Sequence, residues 1–219
     1  MVQKSASQKW PGANPPSGKK RGRPRGYEPD AALTKARAAF WDAGYSATSL
    51  DALSAATGMN RPSLYGAFGD KRALYLKTLE GYRALGRAAI AEALGGDRPL
   101  RESLGRVYRS ALAIYLSGEH GARGCFLIGT AAPEAIADKE VRDIYAAGLH
   151  ELDDGFAVCF RRAQERGELA ADVDPVERAR LASAVLHTLS LRARAGEKRE
   201  ALERTAAQGI ALLCGGASV

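Results

Sequence analysis

The chain has only three cysteines, Cys125, Cys159 and Cys214, spread over 219 residues. They are too few and too scattered for a disulfide framework, so a reducing, cytoplasmic setting is expected. Long apolar runs are also missing, because charges interrupt every candidate membrane span. The N-terminus has lysines but no apolar h-region, so no secretory signal is expected. Aromatic residues are sparse and β-branched runs scarce, while alanine is abundant, which favours helix over strand. There is no nucleophile elbow, His-Glu-x-x-His, phosphate loop or dinucleotide fingerprint, and so no positive sign of an enzyme. No pair among His120, His150 and His187 has ligand spacing, so neither a metal nor another cofactor is expected.

Acid is absent from residues 1–26. They carry Lys4, Lys9, Lys19, Lys20, Arg21, Arg23 and Arg25, which equals the whole chain's net charge of +7. Residues 27–219 therefore balance to zero, and a cationic arm precedes a neutral body. The arm is rich in Pro, Gly and Ser and should be disordered when free. Its Arg21-Gly22-Arg23-Pro24 core resembles an AT-hook, in which Arg21 and Arg23 would enter a narrow A·T minor groove. Non-specific phosphate attraction by a basic tail stays an open alternative.

The body reads as all-α, with about nine helices and no convincing strand. A first helix over about 30–43 buries Leu33, Ala36 and Phe40, and Gly44 closes it. A long helix starts at the N-cap Asp70, carries Leu74, Tyr75, Leu79 and Tyr82, and stops at Gly95-Gly96. Pro99 suits the first turn of a helix over about 98–117. Residues 125–137 suggest a short buried helix interrupted by Pro133. Tyr145, Leu149, Leu152, Phe156, Cys159 and Ala163 recur at spacings of four and three, predicting a long amphipathic helix over 139–167. Pro175 opens another helix carrying Leu181, Val185 and Leu189. The last, over about 197–213, carries Leu202, Ala206, Gly209, Ile210 and Leu213.

The segment Thr48–Lys71 carries the chemistry. Thr48 and Asp51 form a Thr-x-x-Asp capping pattern for a short helix with Leu50 and Leu53 inward. Gly58 suits the left-handed residue that ends a helix. Asn60 is a good N-cap for a second short helix, with Leu64 and Phe68 on its buried side and Arg61, Ser63 and Tyr65 outside. A short helix with an apolar back and a donor-rich front suits the major groove of DNA.

Gly44-Tyr45, Thr48-Ser49, Thr57-Gly58-Met59, Leu64-Tyr65-Gly66-Ala67-Phe68 and Gly69-Asp70-Lys71 resemble, in order and spacing, the DNA-binding domain of the TetR family of transcriptional repressors. Thr57 departs from the usual alanine, and Gly66-Ala67 from a bulkier pair. The resemblance implies phosphate contacts by Thr48, Ser49, Tyr65 and Lys71, and places Arg61, Ser63 and Asn60 near base edges. It implies a DNA-binding domain over 27–72 and a helical ligand-binding and dimerisation domain over 73–219. It further implies a homodimer on a palindromic operator, with the last two helices as the dimer contact. Ala206 and Gly209 there would permit close helix approach.

A small-molecule effector is expected among the middle helices, with Tyr108, Tyr115, Cys125, Phe126, Phe156, Phe160 and His187 as candidate lining residues. Cys125 follows a Gly-rich loop beside His120 and Arg123, which would lower its pKa and suit a redox or electrophile sensor. A buried, unreactive Cys125 is the alternative. A second alternative is an architectural protein that binds DNA through its arm alone.

Overall fold

The computed structural model describes residues 28–118 and 121–215. Its elements are α1 (Pro29–Ala43), α2 (Leu50–Thr57), α3 (Arg61–Phe68), α4 (Lys71–Leu94), α5 (Leu100–Tyr115), a π-helical turn (Leu127–Ala131), α6 (Ala132–Glu134), α7 (Lys139–Glu165), α8 (Pro175–Arg194) and α9 (Arg199–Leu213), and among the described residues there is no strand. No described helix is long and apolar enough to cross a membrane. The basic arm, with Arg21 and Arg23, lies outside the described residues.

Local chemistry sets the front of the molecule. Gly44, at φ 81°, closes α1, and Gly58, left-handed at φ 71°, closes α2. The Asn60 side chain accepts from Ser63 N–H to start α3, and Asp70 accepts from Ala73 N–H to start α4. One cap sits a residue later than expected. Ser49, not Thr48, is the N-cap of α2 and accepts from Ala52 N–H. Thr48 is buried instead, and its hydroxyl donates to the Gly44 carbonyl at 2.6 Å, tying α1 to α2. The unusual Thr57 is absorbed in the same way. Its hydroxyl donates to the Leu53 carbonyl at 2.7 Å and accepts from Met59 N–H across the turn.

Other expectations need correction. Pro99 is the residue before α5 rather than part of its first turn. Residues 125–137 form a π turn followed by a three-residue helix, and Ile136 is exposed. Leu181 points outward at 56% exposure, so it is no part of the α8 core stripe. Leu202, Ala206, Gly209 and Leu213 are buried within the chain. A Cβ on Gly209 would meet a Val185 methyl at 2.9 Å, so the small residues seat α9 on α8 of the same chain.

Two cores result. One gathers Phe40, Trp41, Leu53, Leu64, Phe68, Leu74 and Leu79 with Phe126, Val141 and Ile144. The other gathers Leu94, Leu104, Tyr108, Phe156, Phe160, Leu189 and Leu202. The long α4 contributes to both, so it joins the helix-turn-helix to the body. Polar links reinforce the join: Arg72 donates to Asp138 at 2.6 and 2.8 Å and to Glu140 at 2.9 Å, Tyr75 donates to Thr130 at 3.0 Å, and Ser46 donates to Glu134 at 2.9 Å.

The Arg72 contact gives a pH prediction. Its hydrogen bonds hold the Asp138 carboxyl down at about 2. A depressed folded pKa means that the link stabilises above the carboxyl's unfolded value, near about 4, and is lost as pH falls toward 2. Asp138→Asn keeps an oxygen to cap α7 but removes the charge. Urea denaturation should therefore find the variant less stable than the wild type at neutral pH. The gap should narrow progressively below about pH 4.

Candidate nucleic-acid interface and internal cavity

α3 stands on Leu64 and Phe68, which are buried against α1, α2 and α4. Arg61, Ser63 and Tyr65 are exposed on α3, Tyr65 at 47%. Arg61 is not loose there. Its Nε and Nη2 donate to the Asp51 carboxylate at 3.0 and 2.6 Å, laying the guanidinium across the front of α2 and α3. Ser49 and Asn60 are exposed caps at the N-termini of these two helices, where free N–H groups and the helix dipole favour an anion. The Lys71 ammonium lies 4.5 Å from the centre of the Tyr45 ring, held at the start of α4. Beyond its own helix backbone and chain neighbours, nothing lies within 4 Å of the place a Cβ on Gly66 would occupy, so α3 stays open there. Of the expected contact residues, Ser49, Asn60, Arg61, Ser63 and Tyr65 are exposed and Lys71 is half-buried. The Thr48 hydroxyl is turned into the protein.

Behind this surface, α4, α5, the π turn, α7 and α8 line a half-open cavity of about 150 Å³. Of the candidate residues, Tyr115, Cys125 and His187 line it. Tyr108, Phe126, Phe156 and Phe160 do not. They are fully buried packing residues, and the Tyr108 hydroxyl is already spent on the Ala182 carbonyl at 3.1 Å. Phe126 belongs to the front core, with its ring centre 5.5 Å from those of Trp41 and Tyr82.

Sequence reasoning missed the cavity's charged wall. Arg83 and Arg87, four apart on α4, face Glu151 on α7 at 3.4 and 3.0 Å. Nothing distinguishes these charges from the chain's other helical ion pairs. Gly86 and Gly148 sit inside helices, where glycine costs about 1 kcal/mol relative to alanine, and both line the cavity, although other helical glycines do not. At Gly148 a Cβ would meet Leu127 at 2.8 Å.

Burial pushes the Cys125 thiol up, opposite to the direction its sequence neighbours suggest. The Arg123 guanidinium is stacked 4.1 Å from the Trp41 ring centre, and His120 lies outside the described residues. Tyr82 donates to the thiol at 3.5 Å. Iodoacetamide labelling followed by mass spectrometry should therefore find Cys125 slower than free cysteine near pH 7, speeding up as pH rises. Faster labelling than the free amino acid would contradict this environment. Burial also holds His187 below its ordinary range, so its imidazole is neutral near pH 7. Among the described residues, no cluster of three His, Cys, Asp or Glu side chains is placed to hold a metal.

Comparison with known proteins covers both parts of the chain. The family model for bacterial regulatory proteins of the tetR family matches residues 32–78, and the model for the tetracyclin repressor-like C-terminal domain matches residues 101–208. The HTH-type transcriptional repressor BdcR of Escherichia coli (strain K12) is 32% identical over 189 residues, spanning 85% of this chain and 89% of that protein. The HTH-type transcriptional repressor ComR of the same organism is 30% identical over 196 residues, 89% of this chain and 92% of that one. A solved structure of the TetR family transcriptional regulator CifR, a cysteine mutant complexed with 26bp double-strand operator DNA, is 33% identical and superposes with a TM-score of 0.73, covering 86% of this chain and 98% of that one.

Proposed function

The chain belongs to the TetR family of bacterial regulatory proteins, and from that premise we propose that it is a homodimeric transcriptional repressor, released from a palindromic operator by a small molecule. It acts in the cytoplasm and has no catalytic role. The observation that carries this reading is the short α3, braced by buried Leu64 and Phe68 and leaving Arg61, Ser63 and Tyr65 exposed. In this reading residues 27–72 form the DNA-binding domain, and residues 73–219 bind the effector and dimerise. Arg61 and Ser63, helped by Asn60, read base edges, while Ser49, Tyr65 and Lys71 hold phosphates. The arm of residues 1–26 adds minor-groove contact through Arg21 and Arg23.

One α3 reads too few base pairs for useful specificity, and two copies set whole helical turns apart solve this. Leu181 and Leu191 of α8 and Leu212 of α9 support that assembly. They are large apolar side chains 56, 57 and 58% exposed on two neighbouring helices. The dimer face therefore lies on the outer side of α8 and α9, away from Ala206 and Gly209.

Release follows from a shift in population between two arrangements of the α3 pair. The cavity wall reaches the DNA-binding domain in few steps. Tyr82 bonds to Cys125, Trp41 of α1 meets Tyr82 edge-on at 5.1 Å, and Phe126 packs against both. A ligand that fits only one arrangement of Tyr82 and the π turn biases α1 and α4, and with them the spacing of the two α3 helices.

The test pairs light scattering with band shifts. Leu181→Glu with Leu212→Glu should give a folded monomer that has lost operator binding. A monomer that binds the operator as tightly as the wild type would refute the dimeric reading. Deleting residues 1–26 should weaken binding in a salt-dependent way and leave site preference intact. Loss of all preference would favour the architectural alternative.

A further inference from the structure

The chemistry of the effector can be narrowed from the cavity lining, given the reading above that this cavity takes the effector. We infer that the ligand is a small uncharged molecule with an apolar body and one hydrogen-bonding oxygen, held between Tyr115 and His187. The walls are mostly aliphatic, with Ile90, Val107, Leu127, Ile128, Leu152 and Leu186 among them. Tyr115 on α5 and His187 on α8 line it from different helices, and neither side chain has a protein hydrogen-bond partner among the described residues. Both are neutral near pH 7. Burial drives the Tyr115 phenol well above its ordinary range and holds the His187 imidazole below its own. Such a pair offers two donors and two acceptors to an uncharged oxygen, and no charge to an ion.

The charged side of the cavity is already occupied with itself. Arg83 and Arg87 both engage Glu151. An anion would have to displace that carboxylate, and an ammonium would have to face two guanidiniums. An ammonium would leave water for an apolar space without a free counter-charge, and a carboxylate would meet only the single net positive charge of the three groups, which makes it the sharpest rival.

Calorimetric titration of the full chain with benzyl alcohol, toluene, benzoate and benzylammonium separates these cases. Benzyl alcohol should bind tightest, about tenfold or more over either ion and a few-fold over toluene. Tyr115→Phe combined with His187→Leu should keep toluene binding, which reports an intact cavity, and erase the alcohol's advantage. Benzoate or benzylammonium binding as tightly as the alcohol overturns the assignment. So does an alcohol preference that survives the double substitution, or no binding of the alcohol. Band shifts with the same four probes separate this failure from that of the regulator reading. Operator release by benzoate alone leaves a ligand-responsive regulator with a different ligand class. Alcohol bound at Tyr115 and His187 with no effect on operator affinity leaves the ligand class and removes the proposed release.

Discussion

Arg61→Ala is expected to weaken operator binding by about 1–3 kcal/mol per half-site, the range for a side chain that reads a base with two hydrogen bonds. Affinity for unrelated DNA should change far less, because its bulk comes from phosphate contacts made elsewhere. In the free protein the guanidinium is held by Asp51 through two hydrogen bonds. That pair is exposed, so it adds little to stability, and thermal unfolding should hardly move on substitution. Its effect is to hold Arg61 across the front of α3 before DNA arrives. Binding must then share or break the Asp51 contact. Asp51→Asn should consequently keep operator binding, shift its salt dependence, and relax preference at the base under Arg61. Competitive band shifts with operator and scrambled duplex measure all three. Equal losses on both duplexes would make Arg61 a phosphate contact.

Phe126→Ala carries the second large effect, and it falls on stability. The ring is fully buried, with its centre 5.5 Å from those of Trp41 and Tyr82 and 6.2 Å from that of Tyr75. Removing a core phenylalanine costs about 3–5 kcal/mol. Net stabilities of domains are typically about 5–15 kcal/mol, so the variant keeps only a thin margin. Urea unfolding followed by circular dichroism reads the loss. Had Phe126 lined the cavity, its truncation would mainly change ligand affinity and leave the unfolding midpoint in place. Because the ring also fills the space between α1 and the π turn, folded Phe126→Ala protein should respond less to the effector.

What could be read from the chain in advance follows from how local each signal is. The start and stop of α3 rest on Asn60 capping a neighbouring N–H and on Gly58 at a positive φ, and both act within a few residues. Leu64 and Phe68 then had to be the buried side, because the helical period leaves no other face for them. The cap of α2 was ambiguous, since Thr48 and Ser49 are adjacent hydroxyls. Only the path of the chain out of Gly44 decides which turns inward. The cavity was harder still. Tyr108, Tyr115, Phe156 and Phe160 share the same helical spacing, and no local property separates wall from core. The difference arises where α4, α5, α7 and α8 meet, as does the pairing of Arg83 and Arg87 with Glu151. Gly209 did mark a close helix approach, but the partner is Val185 of the same chain. Smallness shows that helices touch closely and says nothing about which chain supplies the second one.

The most direct test is a hydroxyl-radical footprint of the full-length protein on a sequence selected from random duplexes. If two copies each present α3 to one face of the duplex, protection falls in two patches related by a twofold axis, with centres whole helical turns apart. Arg61→Ala should thin both patches equally. Continuous, asymmetric protection without an enriched sequence would contradict the account.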